Sequence, residues 1–427
     1  MKKASVAVVF LSNGPGELST WVKPLAENMH KKIKMRPKYK QSIISFRLTL
    51  VPCPNATGNE NFVANNWNLF DKVTKAKDFW KLLFKPKSFG SWPNKGVVVF
   101  LGGDQFWSVL LSARLGYKHM TYAEWISRWP QWNDKIVAMS NKVKERVPKR
   151  YRNRCIVVGD LMADLSDSAT NQEPLAKGQW VALMPGSKSA KLSVGVPFLL
   201  EAADQLASML PDCNFLIPVA PTTSADEIKS YLQASNPIAK RYSSKIHKFI
   251  ATKNKDLRRK FITKEGTEIY LHEKPPAHNI LSQCDLALTT VGANTAELGA
   301  LNVPMIVIVP TQHMDVMQAW DGLLGLLGRL PFIKILIGWL ISLWRLRKGG
   351  FLAWPNISAG RMIVPEKVGK IQPREIAEEA MQWLASKERL MGQKEDLRSL
   401  RGQAGAVDAM TSELINLLPK EVEKFIN

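Results

Sequence analysis

Residues 285–297, DLALTTVGANTAE, and the apolar run PMIVIVP at 304–310 restrict the fold more than any other stretch. Leu286, Ala287 and Leu288 read as a buried strand that stops at a turn containing Gly292. A helix then opens at Asn294 and carries Thr295 and Glu297, and the next strand starts soon after Asn302. Strand, tight turn, helix and strand make one unit of an open parallel α/β sheet. Ligands of such sheets bind beyond the carboxyl ends of the strands, where a helix N-terminus offers free N–H groups and a positive dipole end suited to a diphosphate. The same residues carry a second reading. Asn294 and Glu297 have the spacing of a capping box, in which the glutamate only caps its own helix. Spacing alone does not separate the two.

The chain is 427 residues long, more than one ordinary core holds, so two domains are expected. Its 59 basic and 37 acidic side chains give a net charge of +22. That excess predicts attraction to a polyanion: nucleic acid, an anionic membrane or a phosphorylated substrate. Cys53, Cys155, Cys213 and Cys284 are scattered with no CxxC pair. They read as free thiols of a reducing compartment and exclude a zinc site or disulfide framework. The N-terminus lacks a small-x-small cleavage pattern and fits a first core strand better than a signal peptide.

Residues 4–11 are almost wholly apolar, as a central parallel strand requires. The following loop, with Asn13, Gly14, Gly16 and Glu17, leads into a helix over about 18–29. It matches neither a Walker A loop nor GxGxxG, and reads either as a plain βα turn or as a loop over a sugar or acyl substrate. Residues 70–95 interleave seven lysines with six aromatics against two acids, and Phe79, Trp80, Leu83 and Phe84 are expected on one helical face. A membrane interface, single-stranded nucleic acid and an ordinary amphipathic surface helix all fit that pattern. The strand VVVFLGG (97–103) ends at Asp104, which either caps the next helix or stands where a substrate reaches it. Residues 166–179 are polar, lack apolar periodicity and read as an interdomain linker. After a further strand, Gly186, Ser187 and Lys188 place a small loop and a cation where an anion could sit. A dense basic stretch at 239–264 reads as a solvated insertion.

Residues 322–365 contain no acid at all. The core of this stretch, 323–344, approaches the ~20 apolar residues that span a bilayer. Arg329, Pro331 and Lys334 interrupt it, and a span would strand the last part of the chain away from its sheet. One or two helices lying in the membrane interface are therefore expected. Phe332, Trp339 and Trp344 would sit in the lipid with Arg345, Arg347 and Lys348 at the headgroups, joined by Trp80 and Phe84 from the earlier aromatic stretch.

Four blocks resemble the signature segments of the lipid-A-disaccharide synthase family, in matching order: VVGDLMAD (157–164), VALMPGSKSAKL (181–192), TTVGANTAELGALNVPMIV (289–307) and WPNISAGRMIVPE (354–366). FLGGDQF (100–106) falls where that family has its GxD strand end. The resemblance implies the GT-B fold, an α/β architecture of two Rossmann-like parallel-sheet domains facing across a cleft, with C-terminal helices. It implies an inverting transfer of an acylated glucosamine from a UDP donor to an acylated glucosamine 1-phosphate, with no metal and no cofactor beyond the UDP-sugar. Residues 1–165 would form the acceptor-side domain and 180–385 the UDP-sugar domain, the latter carrying the 322–352 insertion. Helices over 386–427 would follow. By the same resemblance Gly292, Asn294 and Thr295 lie near the diphosphate and Glu297 contacts the ribose. Asn356 and Arg361 belong to the donor site, and Asp104 is the base. The chain departs from the family at Lys188, where an arginine is usual, and at NGPGELST, where the family reads roughly GExSGD.

A peripheral, cytoplasmic glycosyltransferase on the inner face of an anionic membrane, acting on a lipid-linked sugar, is the leading expectation. Other lipid acceptors (diacylglycerol, polyprenyl phosphate), a nucleotide-sugar isomerase and a non-catalytic UDP- or lipid-binding relative compete with it. Nucleic acid has only the net charge in its favour, and a homodimer is one of the assemblies left open.

Overall fold

The computed structural model describes residues 6–34, 44–52, 58–165, 175–243, 245–252, 257, 259–313, 350–402 and 404–419. Phe332, Trp339, Trp344, Arg345, Arg347 and Lys348 lie outside the described residues, as does most of the expected linker. The chain divides into two compact units, Met1–Asp164 with Gly402–Asn427, and Leu165–Arg401.

The first unit holds seven strands: β1 (Val6–Ser12), β2 (Ile44–Leu50), β3 (Lys72–Thr74), β4 (Lys95–Phe100), β5 (Lys118–Ala123), β6 (Lys135–Ala138) and β7 (Cys155–Val157). They form one parallel sheet in the order β3-β2-β1-β4-β5-β6-β7. All seven residues of β1 are buried, because β1 is paired on both edges and covered on both faces. After β1 the chain turns helical at Pro15–Glu17, widens into a π-helical turn at Leu18–Val22 and continues as α1 (Lys23–Lys34). Phe79, Leu82 and Leu83 of the helix Phe79–Phe84 point inward, whereas Trp80 and Phe84 are 47% and 70% exposed. The expected single face is thus two stripes, since 79/82/83 and 80/84 fall on different sides at 3.6 residues per turn. The helix α2 (Gln105–Leu115) follows β4.

The second unit is built on eight strands: β8 (Gln179–Met184), β9 (Cys213–Pro218), β10 (Ile246–Ala251), β11 (Arg259–Thr263), β12 (Glu268–His272), β13 (Leu286–Thr290), β14 (Met305–Pro310) and β15 (Glu366–Gly369). Their order is β10-β11-β12-β9-β8-β13-β14-β15. The basic stretch expected as a solvated insertion contributes the antiparallel pair β10 and β11 at the sheet edge. Its cations are partly spent on pairing: Arg259 forks onto Glu273, and Lys260 meets Glu268.

The long helix α3 (Ser189–Met209) packs its Leu192, Val196 and Leu199 into the core under the sheet. Each such buried side chain contributes about 1.5–3 kcal/mol. That outweighs Pro197, whose place inside a helix costs about 3 kcal/mol by freeing the carbonyl four residues back. The freed carbonyl is that of Ser193, and the Asn236 amide donates to it at 2.7 Å. Further along the chain come α4 (Ala293–Ala300) and α5 (Trp354–Ala359).

The last described helix, α6 (Ala406–Leu417), belongs to the first unit and lies along α1. Lys32 pairs with Asp408 at 2.8 Å, Asn28 donates to Thr411 at 3.1 Å, and Lys135 pairs with Glu413 at 2.6 Å. The Asp164 carboxylate accepts from the backbone N–H groups of Gly405 and Val407, satisfying donors at the start of α6.

Candidate functional site

Among the parallel strands of each sheet the order reverses between β1 and β4 in the first unit and between β8 and β13 in the second. In open α/β sheets ligands bind beyond the carboxyl ends of the strands at that point. The loop residues Asn13–Glu17 with Asp104 lie at the first of these places, and Gly186–Lys188 with Gly292–Glu297 at the second.

In the second unit Thr289 lies beside Met184 in register, so the loops leaving β13 and β8 emerge side by side. Gly186 and Gly292 both take positive φ, 104° and 150°. A Cβ on Gly186 would lie 3.1 Å from Lys191 Cβ and 3.4 Å from Thr290 Oγ1, and one on Gly292 would lie 3.1 Å from Lys191 Nζ. Both turns therefore need glycine for backbone angle and for space. Lys191 Nζ donates to the Val291 carbonyl at 2.6 Å, joining the two loops. Ser187 is part-exposed on the loop, and Lys188 is the N-cap residue of α3 with no side-chain capping bond.

The helix α4 starts at Ala293 with Gly292 as its N-cap, and no side chain caps it. Asn294 stands inside the first turn, so the capping-box reading is overturned. Glu297 instead lies 3.1 Å from Nε2 of buried His278. Thr295 Oγ1 donates to the Gly292 carbonyl at 2.9 Å and accepts from Trp354 N at 3.1 Å, tying the starts of α4 and α5 together.

Two expected donor-site residues sit differently. Asn356 is fully buried, and its amide donates to Val364 O and Glu366 Oε1 while its oxygen accepts from Ile363 N and Val364 N. Two donors and two acceptor sites are a side-chain amide's whole capacity, so Asn356 is a framework residue with nothing left for a ligand. Arg361 lies on the surface, its guanidinium forked onto Asp396 at 2.6 and 3.4 Å, which pushes its pKa further up. The sequence reading passed over Lys191, Thr290, His278 and Glu366. Glu366 accepts from the N–H groups of Leu352 and Ala353, holding the segment that leads into α5.

In the first unit Leu101 N donates to the Leu11 carbonyl at 2.8 Å, so the loops after β1 and β4 touch. A Cβ on Gly102 would lie 3.0 Å from Ser12 Oγ and 3.1 Å from both Asn13 Oδ1 and Glu17 Cγ. The Asn13–Glu17 loop and the Asp104 strand end are thereby brought together. The carbonyl of Gly16 accepts from Ser19 and Thr20, and the N–H of Leu18 donates to Gly14 O. Ser12 Oγ and Trp21 Nε1 are buried with no hydrogen-bond partner among the described residues. Such orphans accompany ligand or water sites, and π-helical turns recur at functional sites. Asp104 does cap α2, accepting from Phe106 N at 2.9 Å. Its carboxylate is also 44% exposed, with Arg128 3.9 Å away. Capping and an exposed carboxylate therefore coexist.

Beyond Asp104 six rings touch in succession: Phe84, Trp80, Trp107, Phe106, Trp129 and Trp132, with centroids 5.2–6.2 Å apart. Phe106 and Trp132 are 38% and 50% exposed, so the ribbon presents aromatic surface at its middle and both ends.

One parallel sheet and one that is parallel apart from its β10–β11 edge, each with glycine-bearing turns at its reversal point, make this a GT-B fold. The chain is similar in sequence to lipid-A-disaccharide synthases. That of Myxococcus xanthus (strain DK1622) is 24% identical over 243 residues, 56% of this chain and 49% of the relative. That of Sulfurihydrogenibium sp. (strain YO3AOP1) is 25% identical over 244 residues, 56% and 51%. The chain spans about half the length of the curated relatives it matches. The resemblance drawn from the sequence blocks holds in these matches, at the level of a diverged relative. No protein-family model matches. Among solved structures, the UDP-GlcNAc 2-epimerase of Methanocaldococcus jannaschii aligns with a TM-score of 0.53 at 11% identity, over 96% of this chain and 99% of that one. A putative UDP-N-acetylglucosamine 2-epimerase of Listeria monocytogenes gives 0.52 at 12% identity, over 96% of each. At such identities the likeness establishes the fold.

Proposed function

We propose that this chain is an inverting glycosyltransferase that moves an acylated amino sugar from a UDP donor to a lipid-linked sugar at a membrane surface. The observation that carries the reading is the meeting of two glycine turns and two helix N-termini at the carboxyl ends of β8 and β13. Converging N–H groups and positive dipole ends suit a diphosphate, and stabilise it further as it leaves with the electron pair of the broken anomeric bond. Similarity to lipid-A-disaccharide synthases supports the choice of a UDP-sugar and an acylated acceptor. Asp104 is assigned as the base that takes the proton of the acceptor hydroxyl as its oxygen bonds to the anomeric carbon. The chemistry calls for no divalent metal, because helix dipoles and cations oppose the charge on UDP.

The acceptor side is assigned to the first unit, whose loop at Asn13–Glu17 meets the Asp104 strand end. The aromatic ribbon and the surrounding Lys81, Lys85, Arg114 and Arg128 favour a peripheral position on an anionic, cytoplasm-facing membrane surface. Among the described residues no helix is long and apolar enough to cross a membrane.

The test is mass spectrometry of products in detergent micelles containing EDTA, with UDP-diacylglucosamine and diacylglucosamine 1-phosphate. Asparagine caps a helix as well as aspartate does, so Asp104→Asn removes the base and keeps the cap, whereas Asp104→Ala loses about 1 kcal/mol of capping as well. A disaccharide from wild type, lost in both variants, is the expected result. Equal product from Asp104→Asn rules out Asp104 as base. No product from wild type, with UDP still bound, redirects the acceptor to diacylglycerol or polyprenyl phosphate.

A further inference from the structure

We propose that Lys191, rather than the loop residue Lys188, is the cation that meets the phosphate groups at the second unit's reversal point, with the Thr290 hydroxyl as a donor beside it. The inference rests on the nucleotide-donor reading above and names the group that recognises the anion.

Three observations place it. First, the Lys191 stem runs along Gly186, and its ammonium reaches the Val291–Gly292 turn, spanning both loops of the site. Any side chain at 186 or 292 would crowd it, so the two positive-φ glycines and the lysine form one arrangement. Second, the start of α3, 21 residues long, and the start of α4 both lie at this ammonium. Two positive helix ends and a cation close together create a field that an anion relieves. Third, Thr290 is 3% exposed and its Oγ1 has no hydrogen-bond partner among the described residues, although it sits 3.4 Å from the Cβ position of Gly186. A buried hydroxyl left without a partner is what a ligand oxygen would satisfy. Lys188, by contrast, contributes its backbone to the start of α3, its carbonyl accepting from Lys191 N and Leu192 N. Among the described residues its ammonium donates no hydrogen bond that would direct it to the turn.

The physical class of the ligand is a phosphoryl or diphosphoryl group carried on a nucleoside. Calorimetric binding of UDP, UMP and uridine to the full chain tests this. Lys191→Met is expected to weaken UDP at least about tenfold and to leave uridine within about twofold, because uridine carries no charge for the lysine to meet. The loss should exceed that of Lys188→Met, and Lys191→Arg should restore most of the affinity. Thr290→Val should weaken UDP by a smaller factor with uridine again unchanged. The UDP affinity of wild type should fall more steeply with salt than that of Lys191→Met. A purely structural lysine, holding the Val291 carbonyl, would lower UDP and uridine binding together, and that result overturns the proposal. Should wild type bind no uridine compound, inorganic pyrophosphate separates the two readings. Pyrophosphate binding that depends on Lys191 keeps the anion site and removes the nucleotide, and absence of pyrophosphate binding overturns both.

Discussion

Asn356 and Glu297 show how residues of two family-like blocks part company once they are placed. Asn356 saturates its amide on the backbone of 363–364 and on Glu366, so its role is to hold the 351–366 segment. Glu297 keeps a part-exposed carboxylate beside His278. Asn356→Ala would leave two buried N–H groups unpaired at once. It is expected to cost about 2–4 kcal/mol, lowering the melting temperature of the second unit by roughly 4–16 °C. Glu297→Ala should cost about 1 kcal/mol or less and weaken UDP about tenfold or more. Thermal melts and calorimetry on the two variants check the pair, and the opposite pattern would exchange their roles. By the family resemblance both were expected as site residues, because a family block records that a residue is needed and not whether a ligand or the backbone needs it.

At the scale of elements, the site depends on how tightly α3 approaches the loop that precedes it. Gly195 lies against Pro185, where a Cβ would come within 2.8 Å of Pro185 O and 3.0 Å of its Cα. Both atoms are backbone, so the helix or the loop must move. Gly195→Ala is expected to destabilise by about 1–3 kcal/mol although alanine is the better helix former. By shifting Pro185 and Gly186 it should also weaken UDP binding several-fold. Chemical denaturation with a parallel UDP titration reads both effects. A stabilised variant with unchanged UDP affinity would show that the loop position does not depend on this contact. The π-helical turn at Leu18–Val22 belongs to the same scale. It buries Leu18, Thr20, Trp21 and Val22 together, which an ordinary helical repeat over 18–29 does not anticipate.

For the whole molecule, the decisive feature is that chain order and spatial grouping differ at the C-terminus. Residues 402–419 complete the first unit through Lys32–Asp408, Lys135–Glu413 and the Asp164 cap of α6. Val407, Met410, Leu414 and Ile415 are buried there, so removing 402–427 exposes their counterparts on α1. Hydrogen exchange on the truncated chain should show lost protection in α1 and β1, with β13 and β14 keeping theirs. Loss spread equally over both units would mean that the tail supports the molecule as a whole.

The sequence by itself determined what local chemistry determines. Apolar runs marked β1, β4, β8, β13 and β14, because a strand buried on both faces must be apolar throughout. Glycine turns marked where loops leave those strands. Six strands escaped this reading: β2, β3, β5, β10, β11 and β15. In β5 the polar His119 is buried against Ser108 and Thr121 and breaks the apolar pattern. The strands β2 and β3 carry Arg47 and Lys72 at positions a simple run would exclude. Only the tertiary structure decided which loops meet, since the reversal of strand order that sets β8 beside β13 and β1 beside β4 is a long-range property. Nothing local distinguishes Lys188 from Lys191 three residues on, or the buried Asn356 from the exposed Arg361. Lys191 is set apart by a turn 100 residues away that its side of α3 faces, and Asn356 by the 363–366 segment that closes over it, and both are matters of packing.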